Sequence, residues 1–460
     1  MNEIRQPSLS ERKALSASVL VKPEGNVARV ETIIAEGSTE SPMFNSFLLE
    51  AVFERSNMQA ALKRVRKNKG APGIDGMTVD ELVPYLKEFW PGIKEQLFAG
   101  KYKPSPVRKV EIPKPGSKEK RQLGIPTVLD RLIQQALAQV LQSKWDKTFS
   151  NSSFGFRPKR SAHQAVKQAQ SYLCEGYGFV VDLDLEKFFD RVNHDRLMAT
   201  LAKEIADKRV LRLLRAYLNA GILEDGLCSP PDEGVPQGGP LSPLLSNIVL
   251  DEVDKELELR GHKFARYADD LNIYVKSERA GLRVMNSVSR FIAKRLKLKV
   301  NEGKSAVAKP QERKFLGFSF TGGKNPNRRK IAPQAMKRFK DKIRYLTNRN
   351  HSMNFDARCQ RLTVYLRGWR AYYGFCETRS VLRDLDSWIR RRLRAVMWKQ
   401  WKVYGRRKSE LKRLGLREDL AQTTAWSSKG PWRMSHSTGL QMAFPKSFFV
   451  QKGIPLLELK

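Results

Sequence analysis

The sequence predicts an α+β protein, in which strands and helices alternate through the middle of the chain and helices dominate the rest. Apolar residues recur at helical spacing from Phe44 onwards, most clearly over 47–65. Residues 178–185 form an apolar run typical of a buried strand. Two further apolar runs, 264–268 and 271–275, lie two residues apart and predict a β-hairpin. Helical segments flank these strands, which indicates a sheet near the centre of the protein.

Turn residues and changes of periodicity divide the rest of the chain. Residues 1–40 carry Ser, Glu, Gly and Pro without periodicity and predict a flexible extension. The turn residues of 70–76 end the first helical region, and a second helix is predicted over 79–96. Residues 107–113 alternate like a strand, and 282–296 have the pattern of an amphipathic helix.

The chain is strongly basic. Its 460 residues include 85 Lys and Arg against 48 Asp and Glu, which gives a formal net charge of +37. A surplus of this size favours a polyanionic partner, and nucleic acid is the leading candidate. Residues 388–413 hold eleven of these cations, interleaved with Trp398, Trp401 and Tyr404. Such aromatic rings either stack on bases or pack one helix against another. The basic run 63–67 is either a solvated helix face or an RNA contact.

Composition excludes several classes of protein. The four cysteines are scattered without a Cys-x-x-Cys pair, so neither a zinc ribbon nor a disulfide scaffold is supported. No apolar run approaches the ~20 residues of a membrane span, and the N-terminus lacks the apolar core of a signal peptide. No GxxxxGK[ST] phosphate loop is present. We therefore expect a cytoplasmic protein with no membrane partner.

Two pairs of carboxylates fall in the predicted strands. Asp182 and Asp184 are two residues apart, so both side chains point to one face of the sheet. Asp269 and Asp270 occupy the hairpin turn, where a hard cation such as Mg²⁺ relieves the repulsion between neighbouring carboxylates. Carboxylates from two strands are what a two-metal phosphoryl-transfer site requires. Each pair also has a structural interpretation, as an aspartate-rich turn or as a cap on a neighbouring element.

A loop dense in Gly and Pro, residues 234–243, lies between these pairs and leads into an apolar helix over 244–250. Glycine lets backbone amides approach a phosphate or a base closely, although the same sequence also suits an ordinary rigid turn.

These motifs occur in a characteristic order. Along the chain they are Ser153-Phe154-Gly155-Phe156-Arg157-Pro158, Asp184 with Phe188-Phe189-Asp190, Pro236-Gln237-Gly238, Tyr267-Ala268-Asp269-Asp270, Phe315-Leu316-Gly317-Phe318 and Gly368-Trp369-Arg370-Ala371-Tyr372-Tyr373. The series resembles the group II intron-encoded reverse transcriptase/maturase family from about residue 45 to the end. The chain lacks the Cys/His ligands of the endonuclease that some relatives carry, so it is most similar to the bacterial, endonuclease-lacking class C members.

The resemblance implies a right-hand polymerase fold, with fingers, a palm bearing an antiparallel sheet, a helical thumb and a C-terminal basic helical domain. The implied domains are a flexible N-terminal extension (1–40), an N-terminal extension with the start of the fingers (41–110), the fingers and palm reverse transcriptase domain (111–322), the thumb or maturase/X domain (323–403) and a DNA-binding domain (404–460).

The activity that the resemblance implies is RNA-directed DNA polymerisation, which copies intron RNA into DNA and assists intron splicing and mobility as a ribonucleoprotein. Asp184, Asp269 and Asp270 match the catalytic aspartates that hold two Mg²⁺, and the backbone of Leu185 also touches a metal. Asp182 does not match. In this chemistry a primer 3′-oxygen attacks the α-phosphate of a dNTP and pyrophosphate leaves.

Other matched positions imply nucleotide binding. Lys114 and Arg121 match residues that grip the incoming triphosphate, and Gln237 matches a residue beside the nucleotide pocket. Phe189 matches the ring that crowds the sugar 2′-carbon, although without the resemblance it reads as a core aromatic residue. Lys304 matches a lysine for which a proton-donor role is conceivable.

The implied partners are group II intron RNA, an RNA template with a DNA primer, and target DNA, on which the protein would be nucleoid-associated. The residues expected to contact nucleic acid are Arg157, Arg390, Arg391, Arg392, Lys399 and Lys402.

Two other functions stay open. One is a non-catalytic RNA-binding splicing factor that keeps the fold, against which the three matched aspartates argue. The other is a domesticated polymerase of the same family that serves DNA repair or CRISPR adaptation.

Overall fold

The computed structural model describes residues 47–113, 120–224, 227–229, 234 and 238–458. Lys114, Gln237 and the predicted N-terminal extension 1–40 lie outside the described residues.

Seventeen α-helices lie in the described part of the chain. They are α1 Leu48–Val52, α2 Arg55–Asn68, α3 Leu82–Phe98, α4 Val128–Trp145, α5 Ala162–Cys174, α6 His194–Glu204, α7 Lys208–Leu218, α8 Ser242–Leu259, α9 Glu278–Phe291, α10 Pro333–Leu346, α11 Phe355–Tyr373, α12 Arg379–Gln400, α13 Tyr404–Arg413, α14 Glu418–Ala425, α15 Pro431–Met434, α16 Thr438–Ala443 and α17 Lys446–Gln451.

Ten strands form three sheets among the described residues. They are β1 Val107–Pro113, β2 Lys120–Ile125, β3 Phe179–Leu183, β4 Ile222–Glu224, β5 Leu227–Ser229, β6 Lys263–Tyr267, β7 Asp270–Val275, β8 Ala306–Ala308, β9 Phe318–Phe320 and β10 Arg329–Ile331. The sheet orders are β2-β1-β4-β5, β6-β7-β3-β8 and β10-β9. The mixture of helices and sheets confirms the α+β class.

The sheet β6-β7-β3-β8 is antiparallel throughout and has β3 and β7 at its centre. Its two faces pack against different cores because side chains alternate along each strand. Val181 and Ile273 point into a core shared with α4, α7 and α8, while Val180 and Tyr274 point into a core shared with α5 and the helices from α10 onwards. The buried strand predicted over 178–185 is thus confirmed as β3.

Local sequence explains where several helices begin. The Thr127 side chain accepts a hydrogen bond from the Asp130 amide at the start of α4, and Ser277 caps α9 in the same way. Ser161 and Gln164 form a reciprocal capping box at the start of α5. Such caps satisfy amides that the first helical turn leaves without a partner.

The predicted hairpin is confirmed as β6 and β7, and the helix predicted over 79–96 is confirmed as α3. Two boundaries differ. The helical pattern of 47–65 covers two helices, α1 and α2, because the backbone of Glu54 is extended. The helix predicted over 282–296 leaves α-helical geometry after Phe291 and ends in a π-helical turn, Ile292–Leu296.

Helices prevail beyond residue 332, and they share one hydrophobic core through to Leu457. None of the described helices combines the length and the apolar character that crossing a membrane would require.

Candidate active site

The hairpin between β6 and β7 carries the carboxylates. Tyr267 pairs with Asp270, so Ala268 and Asp269 form a two-residue turn. Ala268 has a φ of 58°, in the left-handed region that alanine seldom adopts. This conformation reverses the chain tightly enough that Asp270 is already the first residue of β7.

Strand register brings the second pair of aspartates to the same place. Asp182 of β3 pairs with Asn272 of β7, and Leu183 pairs with the residue after Asp270. One residue further along this register, Asp184 lies opposite Asp270. Since side chains alternate along a strand, Asp182, Asp184 and Asp270 share one face of the sheet.

These aspartates line a cleft of about 620 Å³. Asp182, Asp184, Asp269 and Asp270 all contribute to its wall, as the sequence predicted for carboxylates from two strands. The cleft also receives basic and acidic side chains from the segments on either side of β8. They are Lys304, Glu312, Arg313 and Lys314.

Asp182 is held by an arginine. The Arg313 guanidinium lies 2.6 Å from the Asp182 carboxylate, and Nε of Arg313 donates to the same oxygen over 2.8 Å. With its amide nitrogen facing the strand, Asn272 donates to the other carboxylate oxygen over 3.1 Å. Burial raises the pKa of Asp182 and the charge of Arg313 opposes that rise. The carboxylate therefore has a structural partner, which fits the expectation that one of the two strand aspartates is not catalytic.

Asp184 is held through its backbone instead. Its amide donates to the Ser305 hydroxyl over 3.0 Å, and its carbonyl accepts from the Asn301 amide over 2.8 Å. The Lys304 ammonium lies 3.7 Å from its carboxylate. These contacts fix the main chain while they leave the carboxylate directed into the cleft.

The pKa of the Asp270 carboxyl is strongly raised in the cleft. Desolvation by the surrounding protein raises the pKa of its carboxyl to about 7. The negative charges of Asp182, Asp269 and Asp184 add to the rise, and Lys314 opposes it. A cation bound here would favour the ionised carboxylate, because opposite charge stabilises the charged form.

The donor set fits a hard divalent cation. Carboxylate oxygens are the ligands that Mg²⁺ prefers, and three of these carboxylates converge on one cleft. Within the described ranges, no group of three or more acidic, His or Cys side chains is drawn together closely enough to form a ready-made metal cage. Mg²⁺ commonly keeps several waters and adds substrate phosphates to one or two carboxylates, so an all-protein cage is not required. Leu185, the expected backbone contact, follows Asp184 and pairs with Val300.

The predicted nucleotide-binding residues are only partly described. Lys114 and Gln237 lie outside the described residues, and Arg121 lies in β2 opposite Ile112, without a described side chain. Phe189 lies in a 3₁₀ turn and packs edge-on against Phe188, as a core aromatic residue would.

One glycine of the Gly/Pro loop shows how closely that loop approaches β2. Gly238 has a φ of 128°, and a Cβ at this position would lie 2.6 Å from the Gly124 carbonyl oxygen. Both the positive φ and the close contact exclude a side chain at this position. Gly238 therefore lies directly against the backbone of β2.

Two of the sequence motifs meet in a turn beside the cleft. Leu316 and Gly317 both have positive φ and reverse the chain before β9. The Tyr372 hydroxyl donates to the Leu316 carbonyl over 2.8 Å, and a Cβ on Gly317 would lie 2.7 Å from the Tyr373 hydroxyl. The tyrosines of α11 thus hold this turn in place.

The expectation that Arg157 contacts nucleic acid is wrong for this structure. The residue is buried, and its Nε donates to the Asp146 carboxylate over 2.8 Å. Its other nitrogens donate to the carbonyls of Ser150, Ser153 and Asp146. All three guanidinium nitrogens donate to the loop after α4 and the side chain is only 3% exposed, so it is not placed to reach a phosphate.

Basic residues of α12 are partly exposed and pair with aromatic rings. The Arg391 guanidinium lies 4.1 Å from the Trp432 ring centroid, and that of Arg392 lies 5.4 Å from the Trp388 ring centroid. Arg390 is held by the Ser387 hydroxyl.

Lys399 and Lys402 are exposed at the end of α12. The neighbouring Trp398 and Trp401 are only 1% and 2% exposed, so they pack in the core and do not provide stacking platforms. Tyr404 is half-buried and packs edge-on against Trp426, the residue that follows α14. Of the two interpretations of these rings, helix packing is confirmed for both tryptophans.

Sequence reasoning missed three cationic residues at the site, which are Arg266, Arg313 and Lys314. Arg313 and Lys314 precede the Phe315–Phe318 turn, and Arg266 precedes the hairpin turn. Their positions next to recognised motifs were the only available signal, since nothing in the sequence pairs them with distant carboxylates.

Comparison with known proteins places the chain in a class. The profile described as "Reverse transcriptase (RNA-dependent DNA polymerase)" matches residues 112–320, which include all four cleft aspartates. The profile described as "Group II intron, maturase-specific domain" matches residues 336–415. A reverse transcriptase domain implies a divalent metal ion and nucleotide substrates.

Individual proteins are also similar to this chain. Protein YkfC of Escherichia coli (strain K12) is 32% identical over 315 residues, which cover 60% of this chain and 81% of that protein. The group II intron-encoded protein LtrA of Lactococcus lactis subsp. cremoris is 38% identical over 206 residues, which cover 45% of this chain and 34% of LtrA. A chain of the solved "Partial Cas6-RT-Cas1--Cas2 complex" is 26% identical, with a TM-score of 0.36, and covers 53% of this chain and 42% of that chain. The chain described here belongs to the group II intron reverse transcriptase/maturase family.

Proposed function

We propose that the protein is an RNA-directed DNA polymerase that copies group II intron RNA into DNA and assists splicing and mobility of that intron as a ribonucleoprotein. The observation that carries the proposal is the convergence of Asp184, Asp269 and Asp270 on one cleft, from strands that lie side by side at the centre of a sheet. The match to both family profiles supports it.

The proposed right-hand architecture assigns the fingers and palm to 111–322, the thumb to 323–403 and a DNA-binding domain to 404–460, after an N-terminal region over 41–110. The core that the C-terminal helices share with α5 and one face of the palm sheet supports a thumb that packs against that face. In this arrangement the cleft opens beside the Phe315–Phe318 turn, where α11 contacts the palm.

Asp184, Asp269 and Asp270 would hold two Mg²⁺, which would promote attack by the primer 3′-hydroxyl and neutralise charge on the phosphates. The chain itself supplies position and charge. The contacts of Asp184 with Ser305 and Asn301 keep its carboxylate facing the hairpin turn. Positioning and charge neutralisation of this kind account for most of phosphoryl-transfer catalysis, without a covalent intermediate.

The basic wall of the cleft suits a nucleoside triphosphate. Lys304 and Lys314 line it, and Arg313 is already committed to Asp182. We propose that Lys304, which lies 3.7 Å from Asp184, contacts the incoming nucleotide together with Lys114, Arg121, Phe189 and Gln237.

Primer extension tests the polymerase assignment. Wild-type protein with poly(rA)/oligo(dT), dTTP and Mg²⁺ is expected to incorporate nucleotide, and Asp269→Asn is expected to lose at least about 100-fold in rate. Asp195→Asn is the matched control, because Asp195 is an exposed aspartate of α6 whose partner is Arg215. Equal activity in all three proteins would reject the assigned site.

We propose that intron RNA and target DNA bind through the basic helices of the C-terminal half. The exposed Lys399 and Lys402 and the partly exposed Arg390, Arg391 and Arg392 support this proposal. Splicing of the intron RNA by the Asp269→Asn protein tests whether RNA binding is independent of polymerisation. We expect splicing to persist, since that aspartate lies in the cleft and not among these helices.

A further inference from the structure

A buried arginine lies beneath the hairpin turn. Arg266 directly precedes Tyr267 in β6, and its side chain is 1% exposed. Nε donates to one carboxylate oxygen of Asp254 over 2.7 Å, and Nη2 donates to the other over 2.5 Å. Asp254 belongs to α8 and its side chain is fully buried. The pair is thus a bidentate ion pair with no access to solvent, which is the strongest geometry for these groups.

The remaining nitrogen of this guanidinium reaches the turn itself. Nη1 of Arg266 donates to the Ala268 carbonyl over 3.0 Å and to the Asn247 side-chain oxygen over 2.9 Å. Ala268 is the residue with left-handed backbone. The arginine therefore joins α8 to the one turn residue whose conformation is unfavourable by itself.

Asn247 continues the network to a second segment of the chain. Its side-chain amide donates to the Gly155 carbonyl over 2.8 Å. A Cβ on Gly155 would lie 2.3 Å from the Ala268 nitrogen, so the two backbones are in direct contact. Just before Gly155, the Phe154 amide donates to the Arg266 carbonyl over 2.9 Å. The turn is therefore held by α8, through Arg266, and by the backbone of Phe154 and Gly155.

We infer that Arg266 is a positioning residue for the carboxylates of the turn, acting together with Asp254 and Asn247. The network fixes Ala268 in its left-handed conformation and thereby sets where Asp269 and Asp270 stand before any metal ion or nucleotide binds. This inference rests on the proposed function, because it assigns the turn a role in nucleotide transfer. A buried ion pair can often be exchanged for apolar residues without loss of stability, so stability alone does not account for it.

The double variant Arg266→Met/Asp254→Leu removes both charges at once and leaves no buried charge unpaired. We expect it to melt within about 3 °C of the wild type. Amide hydrogen exchange over residues 263–275, measured without metal or nucleotide, is expected to quicken about tenfold, while exchange elsewhere stays unchanged. Primer extension at saturating dTTP is expected to fall about 100-fold, and the Mg²⁺ concentration for half-maximal rate is expected to rise.

The matched control is Arg196→Met/Glu252→Met. This ion pair is also anchored on α8, with Nη2 of Arg196 2.7 Å from the Glu252 carboxylate, and its hydrogen bonds do not include the turn. The control is expected to keep wild-type exchange in the hairpin and wild-type extension. Arg266→Lys provides a variant that keeps the buried charges paired, and it is expected to quicken hairpin exchange because lysine lacks the fork that spans Asn247 and Ala268.

The exchange and activity results separate the two claims. Unchanged hairpin exchange in both Arg266 variants overturns the positioning role, whatever their activity. Faster hairpin exchange in the control variant would also overturn the positioning role. It would mean that removing any ion pair anchored on α8 loosens the hairpin. A wild-type protein without polymerase activity would reject the proposed function. Faster exchange confined to the hairpin of the Arg266 variants would still show that the network holds the turn.

Discussion

Replacement of Gly155 by alanine probes how accurately the hairpin turn must be placed. A Cβ at this position would meet three backbone atoms, at 2.3 Å and 3.2 Å from the nitrogen and Cα of Ala268 and at 2.9 Å from the Tyr267 carbonyl carbon. Ordinary contact begins near 3.4 Å, so the backbones must separate by about 1 Å. The three nearest atoms all belong to the main chain, so the rotation of a flexible side chain cannot relieve these contacts.

Two magnitudes follow from that displacement. Overpacking of a well-packed site costs about 1–3 kcal/mol of the free energy of unfolding. A misplacement of about 1 Å at reacting groups can cost about 100-fold in rate. We therefore expect Gly155→Ala to stay folded in urea denaturation and to lose about 100-fold in primer extension, which is far more than its loss of stability explains.

Gly178→Ala is the control for this prediction. Gly178 immediately precedes β3, and a Cβ there would meet nothing within 4 Å. It is expected to keep the wild-type rate and stability. A Gly155→Ala protein that extends primers at the wild-type rate would show that the turn tolerates displacement, and the argument from close contact would fail.

Three further predictions concern other parts of the molecule. Asp182→Asn/Arg313→Gln removes a neutralised pair and should keep primer extension within about tenfold of wild type, whereas a 100-fold loss would make Asp182 catalytic. Lys399→Gln/Lys402→Gln should reduce the slope of log affinity for RNA against log salt by about 1 to 2, and an unchanged slope would exclude these lysines as phosphate contacts. Trp398→Ala should cost about 3–5 kcal/mol in urea denaturation because the ring is buried, and a smaller loss with weaker RNA binding would restore the stacking interpretation.

Periodicity and local chemistry made the centre of the site predictable. An apolar run with aspartates two residues apart can only place both on one face of a strand, and a two-residue gap between apolar runs indicates a hairpin. Asp184, Asp269 and Asp270 accordingly line one cleft. The pattern did not distinguish Asp184 from Asp182, and that distinction came from the family resemblance.

What the sequence could not show is which distant residue each charge would meet. Arg313 pairs with Asp182 from 131 residues away, and Arg157 turned inward to bind the carbonyls of its own loop. Likewise, the basic and aromatic composition of this segment did not show whether Trp398 and Trp401 face the solvent or the core. Both are buried. These outcomes depend on tertiary packing, which composition and local spacing do not encode.

The most direct test of the central claim is the rate of single-nucleotide incorporation on an RNA template, measured beside the affinity for that RNA. We expect Asp184→Asn to lose at least about 100-fold in incorporation while the Kd for template RNA stays unchanged. Incorporation at the wild-type rate by Asp184→Asn would contradict the assigned site. Loss of RNA affinity in parallel with rate would contradict the claim that this aspartate acts on the chemistry.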